Sequence, residues 1–229
     1  MKRTKPKEPP KLLKLNIAGG QQRIEGYTNI DIARIKETDI VHDLNVYPWP
    51  IKSESVEEAV CSHYVEHIPM LCACCPSGKQ DPLLSFFDEL YRVMVVGGKC
   101  NIVAPYYSSR RCWQDPTHRR AIVEETFLYA NANWRKQNRL DHYNVKADFD
   151  FTYGHAVAPD VAARAEDVRL FWITHYLNAV NDIQVTLIKR APSPVESGRV
   201  VEMAHTNAPV NGEAHANLRR SARKVKVLG

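Results

Sequence analysis

The stretch that decides this fold is Lys14-Leu15-Asn16-Ile17-Ala18-Gly19-Gly20, near the start of a 229-residue chain. Its apolar part, from Leu12 to Ile17, predicts a buried parallel strand. The strand ends at a glycine pair, where the backbone can turn tightly and approach a ligand closely. A second short strand is predicted from Tyr27 to Ile32, and it carries a carboxylate, Asp31, eleven residues after the last glycine.

Asp31 is in a position that suits a ligand with neighbouring hydroxyls. Ligands of open α/β sheets lie outside the carboxyl ends of the strands, where an acidic residue can bind a ribose diol. The dinucleotide fingerprint needs three spaced glycines and an acid about twenty residues on, so the short gap here argues against NAD or FAD. Two interpretations remain open: a nucleotide-like cofactor, or an ordinary strand-to-turn junction with a surface aspartate.

The rest of the chain has the element order of an α/β domain with a mostly parallel sheet. Apolar runs predict further strands at residues 39–44, 55–63 and 100–105. Apolar residues at helical spacing predict an amphipathic helix from about Pro82 to Met94, ended by Gly97 and Gly98. The alternating segment from Asp182 to Arg190 predicts a last strand with one wetter face.

Polar side chains follow three of these strands where each one ends. They are Asp31, Asp43 and the group formed by His63, Glu66 and His67. Because the carboxyl ends of parallel strands meet at one edge of a sheet, this repetition predicts a ligand crevice there.

A different kind of segment follows the strand at 100–105. Residues 106–120 are rich in aromatic and cationic side chains and show no core-building period, which predicts a substrate-facing loop. The candidate substrate residues in it are Tyr106, Tyr107, Arg110, Trp113 and Asp115.

Composition indicates a globular protein, with 44% hydrophobic and 25% charged residues. No apolar run is long enough to span a membrane, and the N-terminus lacks a signal-peptide h-region, so we expect a cytoplasmic protein with reduced cysteines. We divide the chain into a basic arm (1–11), an α/β domain (12–190) and a disordered basic tail (191–229). Part of the net charge of +5 lies in the two ends. These basic ends are typical of solvated tails, although they could also contact nucleic acid.

A zinc site is the alternative for the histidines and cysteines near residue 70. His63, His67, Cys72, Cys74 and Cys75 lie within thirteen residues, and zinc takes four such ligands. The Cys-x-Cys-Cys spacing is not the usual one and no second cysteine pair lies nearby, so we expect no metal.

A series of motifs resembles class I S-adenosylmethionine (SAM)-dependent methyltransferases, in particular a small group of methyltransferase-like proteins of phages and bacteria. That group's pattern reads L-N-x-G-x-G, G-x-x-N-x-D, D-L, P-W-P, H-x-x-E-H and R-V-x-x-x-G-G. The matching segments here are residues 15–20, 26–31, 43–44, 48–50, 63–67 and 92–98, and Asp115-Pro116-Thr117-His118-Arg119 also resembles the group. The likeness covers about residues 12 to 190.

The resemblance implies a Rossmann-like class I methyltransferase fold, a mostly parallel seven-stranded sheet with the last strand antiparallel. It implies SAM as cofactor, with Asp31 accepting hydrogen bonds from the ribose and Asp43 and Leu44 flanking the adenine. A carboxylate has two acceptor oxygens for such a diol. The full set of implied cofactor residues is Asn16, Ala18, Gly19, Gly20, Asp31, Asp43, Leu44 and His63.

The sequence departs from the family pattern at Ala18, where the family has the first glycine of G-x-G. An added methyl group is tolerated if the residue has an ordinary φ, but it narrows the space for the cofactor.

The catalytic residues are less clear than the cofactor residues. Methyl transfer is an in-line displacement helped by positioning and sometimes by a general base. His63 and His118 are the candidate bases, because histidine titrates near neutrality. Each has a structural alternative: His63 as part of the local turn, and His118 as a residue at a helix N-terminus.

The leading hypothesis is therefore a SAM-dependent methyltransferase acting on an unidentified acceptor. One alternative is a binding or accessory protein that has the fold without turnover, suggested by Ala18. Another is nucleic-acid modification, suggested by the basic tails, although Ala104-Pro105-Tyr106-Tyr107 only partly matches the motif of amino methyltransferases.

Overall fold

A computed structural model describes residues 11–71 and 81–192, and the backbone of two short strands beyond them. The strands are β1 (Leu13–Ile17), β2 (Thr28–Asp31), β3 (Ile40–Val41), β4 (Val56–Ser62), β5 (Met94–Pro105), β6 (Phe149–Val157), β7 (Val180–Lys189), β8 (Met203–Thr206) and β9 (Ala222–Val225). They form one sheet in the order β3-β2-β1-β4-β5-β7-β6-β8-β9.

The relative directions of the strands show which type of sheet this is. Strands β1 to β5 pair in parallel, and β7 is antiparallel to both of its neighbours, β5 and β6. The first seven strands therefore form a mostly parallel sheet whose last strand is antiparallel. This confirms the fold class predicted from the sequence.

Few helices accompany this sheet in the part of the chain that the structure describes. They are α1 (Pro82–Val93), α2 (Arg111–Gln114), α3 (Ala132–Gln137), α4 (Pro159–Ala162) and α5 (Glu166–His175), with 3₁₀ turns at Val65–His67, Glu124–Ala130 and Asp141–Tyr143. The connections from β1 to β2 and from β2 to β3 are described throughout and contain no helix. Among the described residues, none of the helices combines the length and apolar character that crossing a bilayer requires.

Helix α1 begins at an identifiable signal but does not end at the predicted one. The Asp81 side chain accepts a hydrogen bond from the Leu83 N–H at 2.8 Å, and Pro82 occupies the first helical position. The helix ends at Val93, and β5 begins with the next residue. The predicted glycine stop was therefore wrong: Gly97 and Gly98 lie inside β5, where the pairing with β4 changes register and Gly97 has a positive φ of 78°.

An ion pair with a buried carboxylate joins α1 to the loop before β4. Glu89 is buried, and its Oε1 accepts hydrogen bonds from the Trp49 N–H and from Arg92, both at 2.6 Å. Arg92 also donates to Glu89 Oε2 and to the carbonyl oxygens of Trp49 and Ile51. The Pro48-Trp49-Pro50 segment and the Arg92-Val93 segment, which are far apart in the sequence, therefore contact each other through these hydrogen bonds.

The carboxyl edge of the sheet carries an exposed helix. Residues 158–179 connect the end of β6 to the start of β7 there, and they contain α4 and α5. No residue of α5 is buried. Large apolar side chains on or just after α5 are exposed, namely Val168, Leu170, Phe171, Tyr176 and Leu177.

The tail predicted to be disordered from residue 191 contains two strands. β8 pairs in parallel with β6, and β9 pairs antiparallel with β8, so both extend the sheet beyond β6. The prediction of disorder is wrong for these two segments, whose backbone gains ladder hydrogen bonds. The other tail residues from 193 onward, and the arm at residues 1–10, lie outside the described residues.

Two non-glycine residues adopt a left-handed backbone directly after strands. Ala18 follows β1 with a φ of 53°, and His63 follows β4 with a φ of 54°. This region is unfavourable for a residue with a Cβ by roughly 1–2 kcal/mol. The strain lies where the two central strands end.

Arg92→Ala is expected to destabilise the protein by about 3 kcal/mol, because it leaves the buried Glu89 carboxylate without its cation. The midpoint of urea unfolding measures this. The control is Lys14→Ala, which removes a partly exposed pair with Glu58 and should move the midpoint much less. Equal shifts for the two variants would contradict the role given to the buried pair.

Ala18→Gly is expected to stabilise the protein by about 0.5–1 kcal/mol, because glycine removes the left-handed strain at modest entropic cost. Ala163→Gly is the matched control, since Ala163 is exposed and has an ordinary φ of −73°. At position 163 glycine relieves no strain and only increases the conformational entropy of the unfolded chain, so this variant should destabilise the protein. Thermal unfolding of both variants checks the sign, and destabilisation by both would refute the strain argument.

Candidate functional site

A cleft of about 370 Å³ opens where β1 and β4 end. The structure brings to it Asn16, Ala18, Gly19, Gly20 and His63, all of which were predicted from the sequence to bind cofactor. Its other lining residues are Gln21, Gln22, Ile24, Val60 and Ser62.

Two buried asparagines hold the glycine loop beside this cleft. Asn16 Nδ2 donates to the Gln22 carbonyl at 2.8 Å, and Asn29 Nδ2 donates to the Gly20 carbonyl at 3.1 Å. A Cβ at Gly19 would lie 2.1 Å from Asn16 Nδ2 and 2.4 Å from Asn29 Oδ1. Glycine is therefore required at position 19 for the loop to pack on the asparagines.

The Asp31 carboxylate is tied to the same loop. Its Oδ2 accepts from the Gly20 N–H at 2.9 Å, and its Oδ1 accepts from the Ala33 N–H at 2.8 Å. Each carboxylate oxygen has a second lone pair, so both oxygens can accept one further hydrogen bond. Asp31 is not itself among the residues that line the cleft, but Gly20, which it binds, is.

Ala18 does not meet the condition under which its methyl group was expected to be harmless. That condition was an ordinary φ, and the observed φ is 53°. The Ala18 N–H donates to the Ile30 carbonyl at 2.9 Å, which keeps the residue beside β2 despite the strain. Ala18 is one of the residues that line the cleft, and it also packs against the hydrophobic core.

Asp43 and Leu44 have structural contacts outside the cleft lining. Leu44 is buried, and its carbonyl accepts from Trp49 Nε1 at 3.1 Å. Asp43 Oδ1 accepts from the Asn45 N–H and side-chain amide. Their predicted place beside an adenine stays a prediction.

His63 is held at the mouth of the cleft by a buried acid. Its Nδ1 donates to Glu66 Oε1 at 3.2 Å, and its side chain is 44% exposed, whereas that of Glu66 is fully buried. The hydrogen bond to Glu66 raises the pKa of the His63 imidazole, against the opposing effect of burial. The other ring nitrogen, Nε2, takes no part in this hydrogen bond.

A second ion pair lies close enough to act on His63. Asp182, on β7, is paired with the Arg111 guanidinium, and its Oδ1 is buried without a hydrogen-bond partner. Burial raises the pKa of Asp182, while Arg111 lowers it. Asp182 also raises the pKa of His63 and Arg111 lowers it, so the three groups form one electrostatic unit.

The predicted substrate loop divides into a buried part and an exposed part. Tyr106 is buried, with its ring 4.8 Å from that of Tyr107, and burial raises the pKa of its hydroxyl. Trp113 on α2 is 72% exposed. The Arg110 N–H donates to Asn178 Oδ1, and Asp115 accepts from Thr117.

His118 lies apart from the residues that line the cleft. Its Nδ1 donates to the Cys112 carbonyl at 3.0 Å, and its ring meets the His67 ring edge-on at 4.7 Å. The cysteines weighed as zinc ligands, Cys72, Cys74 and Cys75, lie outside the described residues.

Sequence reasoning missed several residues of this region. Val60 and Ser62 alternate on β4 just before His63, a signal that period-two spacing contains. Gln21 and Gln22 follow the glycine pair directly. No local signal marks Asp182, because only the pairing of β7 with β5 brings it to this edge.

The fold is shared with solved methyltransferase structures. A SAM-dependent methyltransferase from Archaeoglobus fulgidus is 16% identical, with a TM-score of 0.51 over 78% of this chain and 86% of that one. A putative methyltransferase from Bacillus halodurans is 13% identical, with a TM-score of 0.43 over 78% and 92%. A SAM-dependent methyltransferase from Mesorhizobium loti is 10% identical, with a TM-score of 0.42 over 78% and 91%.

Comparison with models of protein families, and with curated proteins, finds no match. The assignment therefore rests on the sheet order, the antiparallel seventh strand and the similarity to the Archaeoglobus fulgidus structure. The chain has the fold of the class I SAM-dependent methyltransferases.

Proposed function

We propose that this protein is a SAM-dependent methyltransferase whose cofactor occupies the cleft beside the glycine loop. The observation that carries the proposal is the hydrogen bond from the Gly20 N–H to Asp31 Oδ2. It couples a glycine turn at the end of β1 to an acid at the end of β2, which is where open α/β sheets bind nucleotide-like ligands.

The residues present fit this cofactor. The cleft volume of about 370 Å³ is within the range of small-molecule sites. Asp31 has acceptor lone pairs for the ribose hydroxyls, and its orientation is fixed by two backbone N–H groups. Bound SAM supplies an electrophilic methyl group on a sulfonium.

His63 is the residue we place nearest to the acceptor. It lines the cleft, its side chain is partly exposed, and Glu66 fixes the ring through Nδ1. The Nε2 atom then lies on a ring of fixed orientation, which suits hydrogen bonding to the acceptor and removal of its proton. We give this role to His63 rather than to His118, because His118 is not among the cleft residues.

Residues 106–120 and 158–179 are the proposed acceptor-binding segments. They follow β5 and β6 at the carboxyl edge and expose aromatic side chains, including Trp113 and Phe171. Nucleic acid is an alternative acceptor, suggested by the basic residues near both ends of the chain and by the aromatic residues of 106–120.

Asp31→Asn is expected to weaken SAM binding about tenfold or more, because it replaces one acceptor oxygen of a charged hydrogen-bond partner. Calorimetric titration with SAM and with S-adenosylhomocysteine measures this. Asp150→Asn is the control, since Asp150 is half exposed and lies at the start of β6, at the opposite edge.

Saturable binding that Asp31→Asn weakens and Asp150→Asn does not would support the cofactor site. A well-folded wild-type protein that binds neither compound would refute the enzyme and leave a binding protein with this fold. Binding without turnover on any acceptor would favour the accessory alternative suggested by Ala18.

His63→Asn is expected to reduce turnover by about 10²–10⁴-fold while SAM affinity changes little, because it removes the ring that contacts the acceptor. Asparagine is chosen because it tolerates the left-handed backbone at this position. Release of S-adenosylhomocysteine is measured over a panel of phenols, amines, carboxylic acids, sugars and transfer RNA. His142→Asn, at an exposed histidine, is the control, and unchanged turnover in His63→Asn would exclude the role.

A further inference from the structure

Three potential metal ligands meet behind His63, although they are far apart in sequence. Glu66 and His67 belong to the turn after β4, and His118 follows α2. Each residue offers one ligand atom, and these three atoms all lie within 4.8 Å of one another. Two imidazoles and a carboxylate are a ligand set that zinc uses with a fourth position open to water.

Glu66 has an unused acceptor in this cluster. The residue is fully buried, its Oε1 is bonded by His63, and its Oε2 has no hydrogen-bond partner. A buried carboxylate oxygen without a partner is costly. A cation beside Oε2 would remove that cost.

The hydrogen bonds of His67 determine its tautomer. The Thr117 hydroxyl donates its proton to Asp115 Oδ1 at 2.7 Å, so its oxygen accepts from His67 Nδ1 at 3.0 Å. The Nδ1 atom of His67 therefore carries the hydrogen, and Nε2 has the free lone pair that a metal needs.

His118 has the same tautomer, which is set by a different contact. Its Nδ1 lies 3.0 Å from the Cys112 carbonyl, which can only accept, so Nδ1 carries the hydrogen here too. Metal-binding histidines usually donate their other N–H to such a carbonyl or hydrogen-bonded group. The Asp115 carboxylate, with Oδ2 4.0 Å from His118 Nε2, adds negative charge beside the cluster.

We infer that Glu66, His67 and His118 form a binding site for one divalent first-row metal ion, with Zn²⁺ as the best fit. Ligand atoms around tetrahedral zinc lie about 3.4 Å apart, so the cluster closes with side-chain shifts on the order of 1 Å. The two nitrogen ligands and one oxygen ligand favour zinc over calcium or magnesium.

The ion would join two segments that border the proposed active site. The backbone already links them, because the Glu66 carbonyl accepts from the Arg119 N–H at 2.7 Å and the Arg120 N–H at 3.2 Å. Bound metal would fix the loop that carries Trp113 against the turn that carries His63. This site does not depend on the proposed methyl transfer.

The test is metal binding by the full chain after chelator treatment and dialysis. Zn²⁺ is titrated against a competing chelator, and Co²⁺ is used as a spectroscopic probe of the ligands. We expect one ion per chain, a higher unfolding temperature with Zn²⁺, and a Co²⁺ spectrum without thiolate charge-transfer bands.

Variants assign the ligands. His118→Ala and His67→Asn should each weaken Zn²⁺ binding at least tenfold, and His142→Ala should leave it unchanged. Glu66→Gln keeps the shape of the buried side chain and should also weaken binding, which covers the case in which a histidine variant fails to fold.

Two results would overturn the site. One is a folded wild-type chain that takes up no ion, which would make the cluster a hydrogen-bonded network only. The other is binding that survives the Glu66, His67 and His118 changes, or that Cys72→Ser, Cys74→Ser and Cys75→Ser together abolish, which would place the metal on the cysteines.

Discussion

The glycine loop after β1 is held by side chains because no helix is there to hold it. Residues 18–27 connect β1 to β2 without a helix, so the loop has no helical dipole or helical hydrogen-bond ladder behind it. Asn16, Asn29 and Asp31 replace that support with side-chain hydrogen bonds to the loop backbone. The shape of the cleft depends on this clamp, since Gly19 packs against both amides.

A second polar anchor positions the other side of the domain. The pair formed by Glu89 and Arg92 binds the backbone around Trp49, and the Trp49 ring in turn packs on Phe86 of α1. Aromatic contacts continue from Phe86 through Phe87 to Phe127. One helix can therefore organise much of the core, because a buried polar contact fixes its position and an aromatic row fills the space.

The sequence carried enough information for the sheet and for the glycine loop. Apolar runs ending in glycine or an acid marked β1 and β2, and the alternation in β7 marked its wetter face. The φ of Ala18 was not predictable, because it results from the pairing of the turn with β2. The strands β8 and β9 were also missed, since their composition is typical of disorder and only pairing, of β8 with β6 and of β9 with β8, explains them.

In the candidate site too, the sequence predicts local features and misses those that depend on long-range contacts. Residues that line the cleft, such as Gly19, Gly20 and His63, were predicted from the sequence because they follow a strand, which is a local signal. Asp182 and the contact of His118 with His67 are long-range, since they bring together residues 50 or more positions apart. No spacing rule reports such contacts, so they require the fold.

The exposed segment at 158–179 has a consequence for how this protein can diversify. The cleft is built from the ends of β1 and β4, whereas α5 lies between β6 and β7 in the chain and has no buried residue. Substitutions in α5 are therefore expected to leave this cleft intact. Because α5 has no buried residue, stability constrains its sequence only weakly, and its surface can change while the sheet and the cleft keep their structure.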